Sequence, residues 1–147
     1  MGKAALIANA IRGKYSYRWV GLYDVDLQRG LVSNIAWSGV GPPKYRTFPI
    51  TKGLTSRAIA AKSTINVGDV ANDSDYLTAL GNTQSEIIIP VLNKTGSCVV
   101  GTIDVESERP HAFDQDTQRL LEICADLLIS FWPEPIRGTG ELNHEQL

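Results

Sequence analysis

The sequence predicts an α/β domain of the α+β type, built on a central, mainly antiparallel sheet of about five to six strands. Two glycine-containing turns each separate a pair of strand-like segments, which is the pattern of β-hairpins. Apolar residues at helical spacing in 3–12 and 113–131 predict helices near both ends of the domain. We expect these terminal helices to cover one face of the sheet, with a short helix and loops on the other face.

The composition fits one domain. The chain has 147 residues, of which 43% are hydrophobic and 20% are charged, and this is ordinary for a globular protein with a single core. We expect the domain to span residues 1–132. Residues 133–147 contain several prolines and glycines and are expected to form a mobile tail.

Charge and hydropathy argue against several functions. The formal net charge is -2 and no lysine or arginine run is present, so no nucleic-acid partner is predicted. No segment approaches the roughly 18–20 apolar residues of a membrane-spanning helix. The N-terminus lacks the apolar core of a secretory signal, and the two cysteines lie far apart in sequence. These features predict a cytoplasmic protein with reduced thiols and no membrane partner.

The first hairpin is predicted at residues 18–39. The segment RWVGLYDVD alternates, so that Trp19 and Tyr23 lie on one side of the strand and Leu22 lies on the other. A turn that ends in Gly30 joins it to the returning strand LVSNIAWSG.

The middle of the chain predicts shorter elements. Prolines and glycines exclude regular structure from residues 39–47. A short helix follows over 54–62, with Thr51 as a cap or turn residue before it. A short strand is expected at 64–67, and a long loop with about one helical turn at 68–84, where loops of this length are often functional.

The second hairpin and the last helix are the most apolar elements. The strand at 85–93 contains an unbroken isoleucine run and is expected to be buried on both faces. A turn at 94–96 leads into its partner at 97–107, and Pro133 ends the helix that follows. The apolar stripe of that helix is predicted to contain Leu120, Leu121, Cys124, Leu127, Leu128 and Phe131.

Glu86, Asp104 and Glu106 are the strongest candidates for a binding site. Asp104 and Glu106 are two residues apart on a strand and share a face, and Glu86 lies near them if the two strands pair. Three adjacent carboxylates repel one another unless they face water, hold an ammonium group or have raised pKa values. The hypotheses are an ammonium site, a solvated sheet edge whose charges deter edge pairing, and acid–base catalysis by a carboxylate pair.

Aromatic residues provide candidate walls for such a site. Trp19, Tyr23 and Trp37 lie on the first hairpin, where a ring over a cationic ligand contributes roughly 0.5–2 kcal/mol. Ordinary core packing is the alternative, and it is favoured for Trp37. Tyr45 and Tyr76 lie in loops that would close over a pocket, either as ligand contacts or as surface residues.

Several motifs together resemble GAF domains over residues 3–132. A strand, a glycine hairpin, a G-x-I-D ending and an FDxxDxxLLE-like helix recur across that family. The matching stretches are WVGLY at 19–23, FPITKGLTSRAIA at 48–60, INVGDV at 65–70, SEIIIPVLNKTGSCVVGTIDVES at 85–107 and FDQDTQRLLEICADLL at 113–128.

Within the family, the chain is most similar to the free methionine-R-sulfoxide reductases. Those reductases carry W-x-G-F-Y, S-E and D-x-D/E-S. The corresponding stretches here are WVGLY at 19–23, SE at 85–86 and DVES at 104–107. The resemblance implies a pocket between sheet and loops that binds an amino acid or a derivative through acidic and aromatic groups. The implied ligand-binding residues are Trp19, Tyr23, Tyr45, Thr55, Tyr76, Glu86, Asp104 and Glu106.

The chain departs from those reductases at their cysteines. The matching positions are Tyr45, Thr55 and Ala79, and no cysteine occurs between residues 1 and 97. Sulfoxide reduction of that type needs a thiolate nucleophile and a resolving thiol. Cys98 follows a turn, and Cys124 is expected to be a buried structural thiol.

No metal and no cofactor are predicted. His111 and His144 are expected to face solvent, and neither cysteine has zinc-ligand spacing. Thr117 and Gln118 stand where cyclic-nucleotide-binding GAF domains carry D-E. Bilin or haem would need a cysteine or histidine in the middle of the chain.

The resemblance therefore implies a small-molecule-binding, sensory or regulatory GAF domain without catalysis, forming a homodimer through its terminal helices. One alternative is a divergent free methionine-R-sulfoxide reductase that uses Cys98 or Cys124. Another is a structural or dimerisation domain whose pocket is filled by its own side chains, such as Tyr45.

Overall fold

The computed structural model describes residues 2–15, 17–77 and 81–132. Two short 3-10 segments, Val70–Asn72 and Ile129–Phe131, accompany the longer elements. In chain order, those elements are α1 Lys3–Tyr15, β1 Trp19–Asp26, β2 Leu31–Gly39, β3 Thr47–Pro49, α2 Gly53–Ala61, β4 Ile65–Val67, β5 Ser85–Leu92, β6 Val99–Ser107 and α3 Gln115–Leu128.

The six strands form one antiparallel sheet in the order β3-β2-β1-β6-β5-β4. The hairpins β1–β2 and β5–β6 meet at the centre, where β1 pairs with β6. The predicted fold class and both hairpins are therefore confirmed. The side chains of β5 are covered on both faces of the sheet, because Ile87 and Ile89 pack in the layer of the terminal helices and Ile88 packs against α2.

Each face of the sheet has its own apolar layer. On one face, Val20 and Leu22 of β1 pack with residues of both terminal helices, such as Ala8 and Leu121. On the other face, the side chains of Trp19, Tyr23 and Val25 pack beneath α2 and the loops. The alternation in β1 thus divides its residues between the two layers, as predicted.

The terminal helix α3 begins at a clear cap. The Asp114 carboxylate accepts a hydrogen bond from the Thr117 N–H at 2.8 Å, and this capping holds the pKa of Asp114 below its usual value. Only part of the predicted apolar stripe is buried. Leu121 and Leu128 face the sheet and Cys124 is half-buried, whereas Leu120, Leu127 and Phe131 are exposed.

Two details of the middle of the chain differ from expectation. Thr51 lies in the turn before α2, which is one of its two predicted roles, whereas the N-cap residue is Lys52, whose side chain makes no capping hydrogen bond. The start of a short edge strand, β3, lies at Thr47 within the segment expected to be irregular. Pro49 is tolerated there because an edge strand has one side without ladder hydrogen bonds.

A glycine in β1 is required by close packing. A methyl group on Gly21 would overlap the rings of Trp19 and Tyr23. We therefore expect Gly21→Ala to lower the free energy of unfolding by about 1–3 kcal/mol. Chemical denaturation measures this. Gly13→Ala is the control, since nothing lies within 4 Å of that site in α1, and it should raise stability by about 0.5–1 kcal/mol. Equal effects of both substitutions would contradict this packing account.

Some expectations concern parts of the chain that the structure does not describe. Ala79 and the predicted mobile tail, residues 133–147, lie outside the described residues. The boundary of the domain at residue 132 stays a prediction. Among the described helices, none is long and apolar enough to cross a membrane.

Candidate functional site

A small cavity lies between the sheet and the α2 side of the fold. It leaves about 20 Å³ for the centres of water-sized molecules, which is room for about one water molecule. A larger ligand therefore enters only if the cavity walls move. The lining residues are Tyr23, Tyr45, Phe48, Gly53, Leu54, Thr55, Leu77, Glu86, Ile88 and Asp104.

Three carboxyl groups meet at the sheet side of this cavity. Glu86 pairs directly with Glu106 across the β5–β6 ladder, and Asp104 is the next residue of β6 on the same face. One oxygen from each carboxyl group lies within 4.8 Å of the others. Strand register therefore brings together residues that are up to 20 positions apart in the sequence.

These carboxyl groups are buried, so the expectation of a solvated sheet edge was wrong. Glu86, Asp104 and Glu106 are 2%, 6% and 0% exposed. They lie on interior strands, which need no charges to deter edge pairing. Buried carboxylates are costly without partners, so the cluster needs another physical reason.

Part of the hydrogen-bonding capacity of the cluster is unused. Glu106 Oε1 accepts hydrogen bonds from Thr83 Oγ1 at 2.5 Å and from Tyr76 Oη at 3.3 Å. The carboxyl oxygens of Asp104 and Glu86 lie within 4.8 Å of each other, and the charge of Asp104 contributes to the raised pKa of Glu86. Glu106 Oε2 and Asp104 Oδ1 are buried and accept no hydrogen bond from the described residues.

Burial raises the pKa of all three carboxyl groups. Loss of solvation raises the pKa of Asp104 to about 6. Loss of solvation and then the charge of Asp104 raise the pKa of Glu106 to about 8 and that of Glu86 well above its usual value. Near pH 7, Asp104 is therefore mostly ionised, whereas Glu106 is mostly protonated.

Aromatic rings form one wall beside the carboxyl groups. The Tyr23 ring is 6.3 Å from the Trp19 ring and 5.7 Å, edge to face, from the Phe48 ring. Trp19 Nε1 donates to the Gly41 carbonyl oxygen at 2.9 Å, which fixes the indole behind the cavity wall. Burial raises the pKa of Tyr23 above its usual value, so its phenol is neutral. Trp37 packs against the apolar cluster that contains Trp19 and Tyr23, so the expectation that it belongs to the core is confirmed.

The α2 side of the cavity differs in chemistry. Gly53, Leu54 and Thr55 are the first three residues of that helix, whose N–H groups have no partner within the helix. Leu54 and Thr55 are buried. Tyr45 lies at the rim and is 38% exposed, with the Lys44 ammonium 5.3 Å from its ring centre.

Residues 69–77 cross over the site and are tied to α2. Arg57 Nη1 donates to both Asp73 carboxylate oxygens, at 2.8 and 3.1 Å, and holds the pKa of Asp73 below its usual value. The Tyr76 hydroxyl donates a hydrogen bond to the Glu106 carboxyl group. Leu77 packs over Gly53 and lines the cavity. This segment thereby closes the cavity.

The sequence matches a known family over most of its length. A family model described as a GAF domain covers residues 4–129. The chain belongs to the GAF-domain family. The predicted resemblance is thus confirmed, and the six-stranded antiparallel sheet with its helices is the GAF fold.

Relatives of this GAF domain include a GAF domain-containing protein and free methionine-R-sulfoxide reductases. GAF domain-containing protein A of Dictyostelium discoideum is 27% identical over 84% of this chain and 75% of its own length. The structure of a type II free methionine-R-sulfoxide reductase from Thermoplasma acidophilum has a TM-score of 0.79 at 28% identity, over 86% of both chains. A free methionine-R-sulfoxide reductase of Saccharomyces cerevisiae is 31% identical over 77 residues. The match covers 52% of this chain and 42% of that protein.

The thiols of this GAF domain lie elsewhere. Cys98 is exposed beside the β5–β6 turn, and Cys124 is half-buried on α3, where burial raises its pKa. Neither is among the described residues that line the cavity. Tyr45 and Thr55, which the sequence resemblance places at two of the reductases' cysteine positions, do line it.

The structure brings five of the eight predicted site residues to the cavity wall: Tyr23, Tyr45, Thr55, Glu86 and Asp104. Trp19, Tyr76 and Glu106 lie immediately behind it, through Tyr23 and the carboxyl cluster. Sequence reasoning missed Phe48, Leu77 and Thr83. Only the FPITKGL match could have suggested Phe48, since no local signal marks an apolar residue as part of a cavity wall.

Proposed function

We propose that this GAF domain binds a small molecule that carries an ammonium group, such as an amino acid or a derivative, and acts as a sensory or regulatory module without catalysis. The observation that carries the proposal is the buried Asp104 carboxylate, which lines the cavity with one oxygen unpartnered by the described residues. A cationic ligand would supply the missing donor, since buried charges in proteins are normally paired.

The charge of the cluster supports a monocation. With Asp104 mostly ionised and Glu106 mostly protonated near pH 7, these two carboxyl groups carry about one negative charge, which matches one ammonium group. Binding a cation would lower the pKa values of the protonated carboxyls and release protons, so affinity should rise between about pH 6 and pH 8. The same coupling would be absent for a neutral ligand.

The other site residues have roles in this proposal that follow from their positions. Tyr23, with Trp19 behind it, offers an aromatic face to the cation, a contact worth roughly 0.5–2 kcal/mol. Tyr45 at the rim and Tyr76 above Glu106 move to admit the ligand, because the closed cavity holds only about one water molecule. Thr55 offers a hydroxyl from α2.

A thermal-shift screen tests the proposal. Purified protein is screened against free amino acids, methionine sulfoxide, simple amines, cyclic nucleotides and nucleobases. A saturable rise in melting temperature with ammonium compounds, lost in Glu86→Ala, is expected, since a ligand that binds only the folded state stabilises it. A rise only with neutral or anionic compounds would overturn the ammonium assignment.

A reductase function is the second candidate, and the 28% identity to the Thermoplasma reductase over 86% of both chains favours it. The reaction would have to use Cys98 or Cys124, neither of which lines the cavity. Turnover of free methionine-R-sulfoxide with a thiol reductant, abolished in Cys98→Ser or Cys124→Ser, would establish it. No turnover above buffer would leave binding as the function.

We also propose a homodimer, formed by α1 and α3 in the cytoplasm. Leu6, Ile123 and Leu127 are 55%, 48% and 65% exposed, and such an apolar surface favours a partner. Helix α1 has basic but no acidic side chains, whereas α3 has a net negative charge. The charges of α1 in one copy therefore complement those of α3 in the other. Light scattering should give a dimer that Leu127→Glu dissociates, and a monomer at micromolar concentration would refute it.

A further inference from the structure

We propose that the carboxyl groups of Glu86, Asp104 and Glu106 bind a divalent metal ion with the size and ligand preference of calcium. The sequence predicted no metal, because its histidines and cysteines lack ligand spacing. The register of the β5–β6 hairpin instead supplies a ligand set made only of oxygen atoms, which suits hard cations. The inference goes beyond the proposed function, since it assigns the carboxyl groups a second kind of occupant that would exclude an ammonium group.

The unpartnered oxygens of the cluster indicate that a further group belongs there. Asp104 Oδ1 and Glu106 Oε2 are buried and accept no hydrogen bond from the described residues. Their side chains belong to residues that are only 6% and 0% exposed. An ammonium ligand in the cavity would give Asp104 a partner, but it assigns none to Glu106, which lies behind the cavity wall. A single ion bound by all three carboxyl groups would satisfy both oxygens.

Protein cations do not pair with these carboxyl groups. Among the described residues, no lysine or arginine forms an ion pair with any of the three, and none lines the cavity. The charge of Arg18 partly offsets the raised pKa of Glu106, yet the Arg18 guanidinium donates to Glu108 and to the Gly81 carbonyl oxygen. Buried carboxylates are normally paired or coordinate metals, so a metal ion would supply the missing positive charge.

The spacing of the oxygens suits calcium. One oxygen from each of the three carboxyl groups lies within 4.8 Å of the others. Calcium–oxygen bonds are about 2.3–2.6 Å long, so oxygens on opposite sides of the ion are about 4.6–5.2 Å apart. The three oxygens therefore lie at a spacing that one calcium ion can bridge.

The number of ligands and the available space favour calcium over magnesium. The hydroxyl groups of Thr83 and Tyr76 occupy Glu106 Oε1, which leaves Oε2 for a metal. Glu86 and Asp104 can offer two oxygens each. Together with the water molecule for which the cavity has room, these oxygens reach the about six ligands that calcium needs as a minimum. Magnesium usually keeps several waters, and the cavity has no space for them.

A titration with calcium alone tests the inference. Protein stripped with a chelator is titrated with calcium chloride in a calorimeter at about pH 8, because a metal needs deprotonated carboxylates. We expect one site per chain with a dissociation constant at or below about 100 µM, and binding of magnesium that is weaker by at least about tenfold. The melting temperature should rise with calcium concentration, since the ion binds only the folded site.

Conservative variants show where the ion binds. Asp104→Asn and Glu106→Gln each remove one ligand charge and keep the shape of the side chain, so each should weaken calcium binding by at least about tenfold. Asp75→Asn is the matched control, because Asp75 is exposed in the neighbouring acidic segment 69–75, and it should change the affinity by less than about twofold. Unfolding curves of the metal-free variants check that each one is folded.

Three results would overturn the inference. Calcium binding that survives Asp104→Asn and Glu106→Gln but is lost in Asp75→Asn would place the ion on the surface. Equal affinities for calcium and magnesium would contradict the assignment of the ion. The absence of both heat and a melting-temperature shift at about 10 mM calcium would refute the metal site outright. Because these titrations contain no organic ligand, their result is independent of the proposed function, which the screen with ammonium compounds decides separately.

Discussion

Replacing Asp104 with asparagine is expected to weaken an ammonium ligand by about 10- to 100-fold, the loss of one charge-assisted hydrogen bond of roughly 1.5–3 kcal/mol. The same change should stabilise the unliganded protein by about 1–3 kcal/mol near pH 8. Burial raises the pKa of Asp104 to about 6, so its ionised form is disfavoured by the fold, and a neutral amide removes that cost. A functional site that opposes stability in this way is common in binding proteins.

Both effects can be measured on one preparation. Calorimetry gives the affinity and urea denaturation gives the free energy of unfolding. Asp126→Asn is the matched control, because Asp126 is exposed on α3 and should change neither quantity by more than about 0.5 kcal/mol. If Asp104→Asn lost stability and kept its affinity, Asp104 would be a structural residue and not a ligand contact.

Raising the pH from 5.5 to 8.5 is expected to destabilise the unliganded protein by several kcal/mol. Glu106 has a pKa of about 8 in the fold, against an ordinary value of 4.5. Between those values the folded state binds more protons than the unfolded state, so stability falls as pH rises. The slope is about 1.4 kcal/mol per pH unit for each carboxyl that stays protonated only in the fold.

Glu86 adds to this loss of stability, since its pKa is also raised, and Asp104 contributes between its ordinary value and about 6. Urea denaturation at half-unit pH steps measures the profile. Glu106→Gln should flatten it and make the protein more stable than the parent above pH 8. Asp116→Asn, at an exposed position of α3, should leave the slope unchanged. A stability that is constant or rises from pH 5.5 to 8.5 would show that the carboxyl groups are ionised in the fold without cost.

The strands could be predicted because their signals are local. The alternation through Trp19 and Tyr23 and the isoleucine run after Glu86 specify hairpins within a few residues of each turn. The last helix was also predictable, yet half of its stripe is exposed. Its outer residues, Leu120 and Leu127, have the same spacing as its core residues, and the pattern alone cannot say which side the sheet covers.

The site was predictable in its chemistry but not in its environment. The spacing of Asp104 and Glu106 placed two carboxylates on one face, and the hairpin brought Glu86 beside them. Their burial was not predictable, because it depends on α2 and on residues 69–77, which cross that face from distant parts of the chain. The same long-range packing placed Phe48 and Leu77 in the wall.

The sequence by itself determined the GAF family, the two hairpins, the carboxyl and aromatic side chains of the site, and the lack of a thiol before residue 98. Only the tertiary structure decided that the carboxyl groups are buried and that Glu86 and Asp104 line the same cavity as the uncapped first turn of α2. It also decided that Arg57 holds residues 69–77 over the site through its ion pair with Asp73. The physical reason is the distance along the chain over which each effect acts. Secondary-structure propensity and periodicity depend on residues that are close in sequence, whereas the solvation and pKa of a side chain depend on every group packed around it.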